Sequence, residues 1–78
     1  LQTRIDYNLP EESRVLLTIH DIMGRDVLTL VDELQEPGIK TVSWTGVRKD
    51  GRGVSAGLYF CKIQAGNFKK MRKLLLLK

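Results

Sequence analysis

Apolar and polar residues alternate along most of this chain. "TRIDYNL" sets Ile5, Tyr7 and Leu9 against Arg4, Asp6 and Asn8, the two-residue period of a strand with one buried face. Pro10, with no N–H to offer a ladder, ends it. "RVLLTIH" repeats the pattern with Val15, Leu17 and Ile19 on one side, and "DIMGRD" follows as a turn in which Gly24 is free to take a positive φ. "VLTLV" makes the return strand. "DELQEPG" holds too few residues before Pro37 and Gly38 for a stable helix and reads as a loop. "IKTVSW" puts Val42 and Trp44 on one face, with Lys40 sharing that parity at the solvent-facing start. "LYFCKIQA" is apolar on both parities in its first half, as in a strand that crosses the middle of a sheet or is covered on both faces. Gly66-Asn67 suits a tight hairpin turn, and "FKKMRKLLLLK" returns as the last strand.

About six or seven short strands joined by Gly, Pro and Asp turns predict an all-β fold, an immunoglobulin-like antiparallel β-sandwich, with residues 1–78 as a single domain. Trp44, Val42, Leu17, Ile19 and Tyr59 are its predicted core. The chain has one cysteine, Cys61, so it lacks the Cys…Trp…Cys pattern of antibody domains, an internal disulfide and a four-cysteine zinc site. The longest apolar run, Leu74 to Leu77, is far short of the roughly 20 residues that span a bilayer, so no transmembrane segment is expected. The start "LQTRIDYNLP" has neither methionine nor the pattern of a signal peptide, and reads as a piece excised from the end of a longer protein.

Charge changes the picture because it is split. Residues 1 to 36 hold eight acids against Arg4, Arg14 and Arg25, a balance of −5, whereas residues 37 to 78 hold ten bases against Asp50 alone, a balance of +9. Such asymmetry marks either a basic interaction segment or two halves that pair and neutralise each other. Nucleic acid is not the expected partner, since no basic platform interleaved with aromatics appears.

The cluster "GRGVSAGLYF" raises the question of a phosphate cradle. A dinucleotide fingerprint needs its glycines at the start of a helix, whose free N–H groups hold the phosphate, but here they lead into a strand. A P-loop ends in Gly-Lys-Ser/Thr, and Gly57 is followed by Leu58. The loop instead reads as structural: an Asp50-Gly51 turn, a relaxed Gly53, and Gly57 admitting the next strand close to another backbone. His20 is the only histidine, Cys61 sits in an apolar strand as a small buried hydrophobe, and Glu11-Glu12 near Asp6 lacks the alternating oxygen spacing of a calcium loop. The chain therefore reads as a non-enzyme with no catalytic residues, no metal and no cofactor.

In this order the pieces add up to a resemblance that covers nearly the whole chain. Leu9-Pro10, Asp21…Gly24-Arg25, Pro37-Gly38, Trp44-x-Gly46, Asp50-Gly51, Gly57-x-Tyr59-Phe60 and a basic closing strand ending in Lys78 resemble the C-terminal sorting domains of the type IX (Por) secretion system. They also resemble the similar immunoglobulin-like domain of the flagellar hook-capping protein FlgD. "LLLLK" departs from the β-branched residues the sorting family often shows there, a mild loss of strand propensity.

The sorting resemblance implies a folded address label at the carboxyl end of a secreted protein. Its partners would be secretion-machinery proteins at the outer membrane and an upstream cargo domain of the same chain. Its location would be outside the cell or on the surface, reached through the periplasm of a Gram-negative bacterium. Gly57, Tyr59 and the basic strand carrying Lys69, Lys70, Arg72, Lys73 and Lys78 are the parts that resemble the signal. Two readings stand beside it: a structural piece of a flagellar hook-capping protein, and a generic accessory module of a surface enzyme. In the closing strand Met71, Leu75 and Leu77 share a face with Lys69 and Lys73, and Phe68, Leu74 and Leu76 share the other with Lys70 and Arg72. Neither face is cleanly apolar, so the strand is expected at a sheet edge.

Overall fold

The computed structural model describes residues 2–77 and contains six strands. They are β1 (Thr3–Leu9), β2 (Ser13–His20), β3 (Asp26–Gln35), β4 (Gly38–Trp44), β5 (Gly57–Ala65) and β6 (Phe68–Leu76). All pairs are antiparallel: β1 with β4 in one sheet, and β3-β2-β5-β6 in the other. This is the expected all-β sandwich, with six strands. Among the described residues no helix is long and apolar enough to cross a membrane.

The period-two pattern fixes which face is buried. Ile5, Tyr7 and Leu9 of β1 meet Val15, Leu17 and Ile19 of β2, Tyr59, Cys61 and Ile63 of β5, and Leu74 and Leu76 of β6 in one core. Burying a side chain of this size contributes roughly 1.5–3 kcal/mol, the main force that holds so small a sandwich together. Of the predicted core, Trp44, Leu17, Ile19 and Tyr59 are buried, while Val42 is half-buried and packs against the rest. The stretch "DELQ", expected to be a loop, lies in β3. Ser13 pairs with Gln35 and Arg14 with Leu34, an Arg14–Asp32 ion pair at 2.7 Å ties the two strands, and Tyr7 donates to Gln35 Oε1 at 2.6 Å. These cross-strand partners extend the ladder where the local residues alone favour none, leaving only Glu36 and Pro37 to carry the chain to the other sheet.

Bulges explain the broken alternation of "VLTLV". The β2–β3 register shifts between Leu17 and Thr18 and again between Ile19 and His20. Each shift sets two residues of β3 against one of β2, so that the adjacent pairs Val27-Leu28 and Leu30-Val31 all reach the core.

Trp44 is fully buried and meets Tyr59 edge to face, with ring centroids 5.0 Å apart and an interplanar angle of 76°. Its Nε1–H donates to the Val47 carbonyl at 2.9 Å, and the Tyr59 hydroxyl donates to the Ser55 carbonyl at 2.6 Å. The long β4–β5 connection is thereby pinned from both ends. It is further closed by Val54 N–H to Gly46 O at 2.9 Å and Lys49 N–H to Val27 O at 3.1 Å. The Asp50-Gly51 turn falls where expected, with Gly51 at φ +86° and its N–H on Arg48 O.

Asp21 organises the β2–β3 turn. Its Oδ1 accepts the N–H groups of Met23 and Arg25 at 2.9 Å each, and its Oδ2 accepts Arg25 Nε at 2.9 Å, while Gly24 turns the chain at φ +84°. The Arg25 backbone N–H, aided by the Arg25 guanidinium and the Met23 N–H, holds the Asp21 carboxyl below its ordinary range against an opposing desolvation.

Two outcomes follow from this packing. Trp44→Ala should cost about 3–5 kcal/mol, the range for deleting a large buried aromatic. For a domain with roughly 5 kcal/mol in hand that approaches unfolding. Thermal melts check it, and an unchanged Tm would place the side chain outside the core. Because the folded pKa of Asp21 is depressed, its contribution is present above the ordinary carboxylate range near pH 4 and is lost as pH falls through the lowered value. Wild-type Tm should therefore drop more steeply between about pH 5 and about pH 3 than that of Asp21→Asn. Parallel slopes for the two proteins would show that the charge of Asp21 does not stabilise the turn.

Candidate recognition surface

The basic residues singled out in the sequence gather on one strand. β6 lies at an edge of the four-stranded sheet, as expected, with β5 as its only ladder partner among the described residues. Its second half packs: Leu74 and Leu76 are buried and Leu75 is 59% exposed, so the leucine run alternates as a strand should. Its first half runs past the core. Lys69, Lys70 and Lys73 are exposed and Arg72 is half-buried. Lys78 lies outside the described residues.

The two-residue turn decides where the β6 backbone points. Ala65 and Phe68 flank Gly66-Asn67, and Gly66 takes φ +60° while Asn67 keeps a negative φ, the arrangement of a type II′ hairpin. In such a hairpin the flanking pair shares both ladder bonds, so Lys70, Arg72 and Leu74 also bond to β5. Lys69, Met71, Lys73 and Leu75 then turn their N–H and C=O groups away from β5. The Leu75 carbonyl agrees, since it accepts the Thr3 hydroxyl of β1 at 3.2 Å. A second link to β1 runs from the Arg72 guanidinium to the Asp6 carbonyl. The two strands face each other across this seam without ladder pairing.

Among the described residues no ion pair joins the acidic half to the basic half. Asp6 pairs with Arg4, Asp32 with Arg14, Asp21 with Arg25, and Asp26 with the His20 ring, all within the first half, and Asp50 sits 4.0 Å from Arg52. Among the described residues Lys62, Lys69, Lys70 and Lys73 make no ion pair, so the β5–β6 end of the sheet keeps its positive charge.

Gly57 and Tyr59 have other tasks. Gly57 opens β5 at φ +145°, and an added Cβ would meet nothing within 4 Å. The close approach expected there is absent; what glycine supplies is a backbone angle that other residues rarely adopt. Close approach belongs instead to Gly46, at φ +76°, where a Cβ would lie 3.0 Å from Leu76 Cδ2. Tyr59 is buried and holds the β4–β5 loop, so its ring is not a contact surface.

The sequence reading passed over the outer face of the four-stranded sheet. There Phe60 stands opposite Lys73 and Lys62 opposite Met71, which is 59% exposed. The alternation of Leu58 and Phe60 with the buried Tyr59 and Cys61 was the available signal. The buried Cys61 thiol is pushed up to about 11 by desolvation, partly opposed by Arg72, and stays unreactive at neutral pH. Both ring nitrogens of His20 are occupied: Nε2 lies 2.8 Å from Thr18 Oγ1 and Nδ1 lies 3.1 Å from Asp26. Among the described residues no three His, Cys, Asp or Glu side chains form a group that could hold a metal ion.

The FlgD Ig-like domain family matches residues 2–68, from β1 through the β5–β6 turn. Among solved structures, that of FlgD from P. aeruginosa is similar, with a TM-score of 0.77 and 24% identity, over 96% of this chain and 58% of that chain. The chain thus spans less than two thirds of that protein, and at this identity the likeness shows the fold alone. No curated protein matches the chain. Of the two branches that the motifs resemble, these findings support the FlgD domain, and the type IX branch finds no support in them.

The two glycines should respond differently to substitution. Gly57→Val strains only the backbone and should destabilise by more than the roughly 1 kcal/mol typical of a point change. Gly46→Ala adds an overpacking cost against the buried Leu76 and should exceed Gly57→Ala in urea titrations. Equal costs for the two alanine variants would remove the packing role of Gly46.

Proposed function

This chain belongs to the FlgD Ig-like domain family, and from that premise we propose that it is a non-catalytic structural module, the immunoglobulin-like piece of a flagellar hook-capping protein. The observation that carries this reading is the family match over residues 2–68, nearly the whole sandwich. A scaffold domain needs a rigid body and a surface without reactive groups. The pinned β4–β5 loop supplies the first. The buried Cys61, the doubly engaged His20 and the locally paired aspartates supply the second.

A second reading rests on the sequence resemblance and on where β6 lies. The basic part of this edge strand carries Lys69, Lys70, Arg72 and Lys73. These residues, with Gly57, Tyr59 and Lys78, are the ones that resemble a type IX sorting signal. In that reading the domain directs its parent protein out of the cell to the surface, through secretion-machinery proteins at the outer membrane.

Paired complementation experiments separate the two. In the first, this chain replaces the immunoglobulin-like domain of the hook-capping protein in a flagellated host; restored hooks and swimming are expected. Hookless cells that nevertheless accumulate the folded chimera would overturn the scaffold reading. In the second, the chain is fused to a reporter in a type IX-competent host, as wild type and with the charges of Lys69, Lys70, Arg72 and Lys73 reversed, the fold of both being checked. Surface display that depends on those residues would replace the scaffold reading with the sorting one.

A further inference from the structure

The open edge of β6 has the chemistry of a docking strand. The hairpin register turns the N–H and C=O groups of Lys69, Met71 and Lys73 away from β5, and among the described residues no group outside the sheet bonds them. Thr3 closes the Leu75 end and the Arg72 side chain reaches the Asp6 carbonyl of β1, which leaves the outward backbone groups of Lys69, Met71 and Lys73 unbonded. Its side chains alternate base, apolar, base on the outer face, where Lys62 adds a further charge beside Met71. Lysines at an edge resist pairing with apolar strands and with one another, but they favour a strand that brings carboxylates.

We propose that β6 receives an extended acidic segment of a partner protein as a fifth strand of the four-stranded sheet. Its side-chain pattern is acid-x-apolar-x-acid, placing carboxylates opposite Lys69 and Lys73 and an apolar residue opposite Met71. Backbone bonds would supply much of the affinity and the alternate side chains the register. Charge favours this occupant over a second copy of the chain. Two β6 edges would oppose lysine to lysine. The acidic strand β3 has Asp26 and Asp32 already paired and its Val27 carbonyl bonded to Lys49 N–H. The inference concerns the edge alone and stands whether the domain is a scaffold or a sorting module.

The test uses the 78-residue chain and a short fluorescent peptide carrying Glu-x-Val-x-Glu, followed by anisotropy and by amide exchange. Binding should slow exchange at the Lys69, Met71 and Lys73 amides. The Lys69→Glu/Lys73→Glu variant should bind about tenfold more weakly or worse. Wild-type chain should lose a peptide N-methylated at the amides facing the edge, an arm that does not depend on any variant folding. Failure of the parent peptide to bind, equal binding of the methylated peptide, or unchanged affinity in the charge-reversed variant would each overturn the proposal. So would sedimentation showing that the edge is filled by a second copy of the chain.

Discussion

The indole of Trp44 meets Tyr59 edge to face at 5.0 Å, and most of the sandwich depends on that contact. Trp44 ends β4 in the two-stranded sheet and Tyr59 stands near the start of β5 in the four-stranded one, so the aromatic pair joins the layers at the end where the β4–β5 loop leaves. Each ring then spends its polar atom on the loop between them. The indole N–H holds Val47 at one end and the phenol holds Ser55 at the other. A buried Trp or Tyr without such a partner would carry an unmet donor, which costs about 1–3 kcal/mol. Core packing and loop closure are therefore one arrangement. The Trp44-x-Gly46 spacing belongs to it too, because Gly46 must lie against Leu76 directly after the tryptophan.

How much of this could be read from residues alone depends on where the information sits. Strands with one buried face announce themselves through alternation, and β1, β2 and β4 were legible for that reason, β5 instead through its apolar run. Their bounds follow the apolar residues and the Pro10, Gly38 and Gly66 punctuation. The end of β3 was not legible, because "DELQ" has no buried face of its own. It is a strand through Arg14, Ser13 and Tyr7, all distant in sequence. The two glycines make the same point. Both take positive φ, and a glycine-rich sequence suggests as much, but only the fold decides that Leu76 crowds Gly46 and that nothing crowds Gly57.

Charge shows how sequence asymmetry becomes spatial asymmetry. The acidic half engages four of its aspartates within itself, three with its own arginines and Asp26 with the His20 ring. The basic half has only Asp50, and that residue sits in the loop beside Arg52. The topology then sends acidic β3 and basic β6 to opposite edges of the same sheet. Exposed ion pairs of this kind contribute about 0–1 kcal/mol each, so the arrangement says little about stability and much about what each edge attracts.

A sandwich built from two plus four strands must leave edges, and each is handled by a different physical device. The β3 edge is partly covered by the β4–β5 loop through Lys49. The end of β6 is closed by Thr3, and Arg72 bridges the seam to β1 at Asp6. From Lys69 to Lys73 the outward backbone groups of β6 are guarded by lysine charge, with Arg72 alone reaching across to β1. That stretch also lies beyond the part of the chain matched to the FlgD Ig-like domain family. The strand that carries it is still part of the sandwich, since its Leu74 and Leu76 lie in the core. Since one fold serves many tasks and function resides in what is placed upon it, the proposed docking strand rests on the chemistry of that edge and not on the fold.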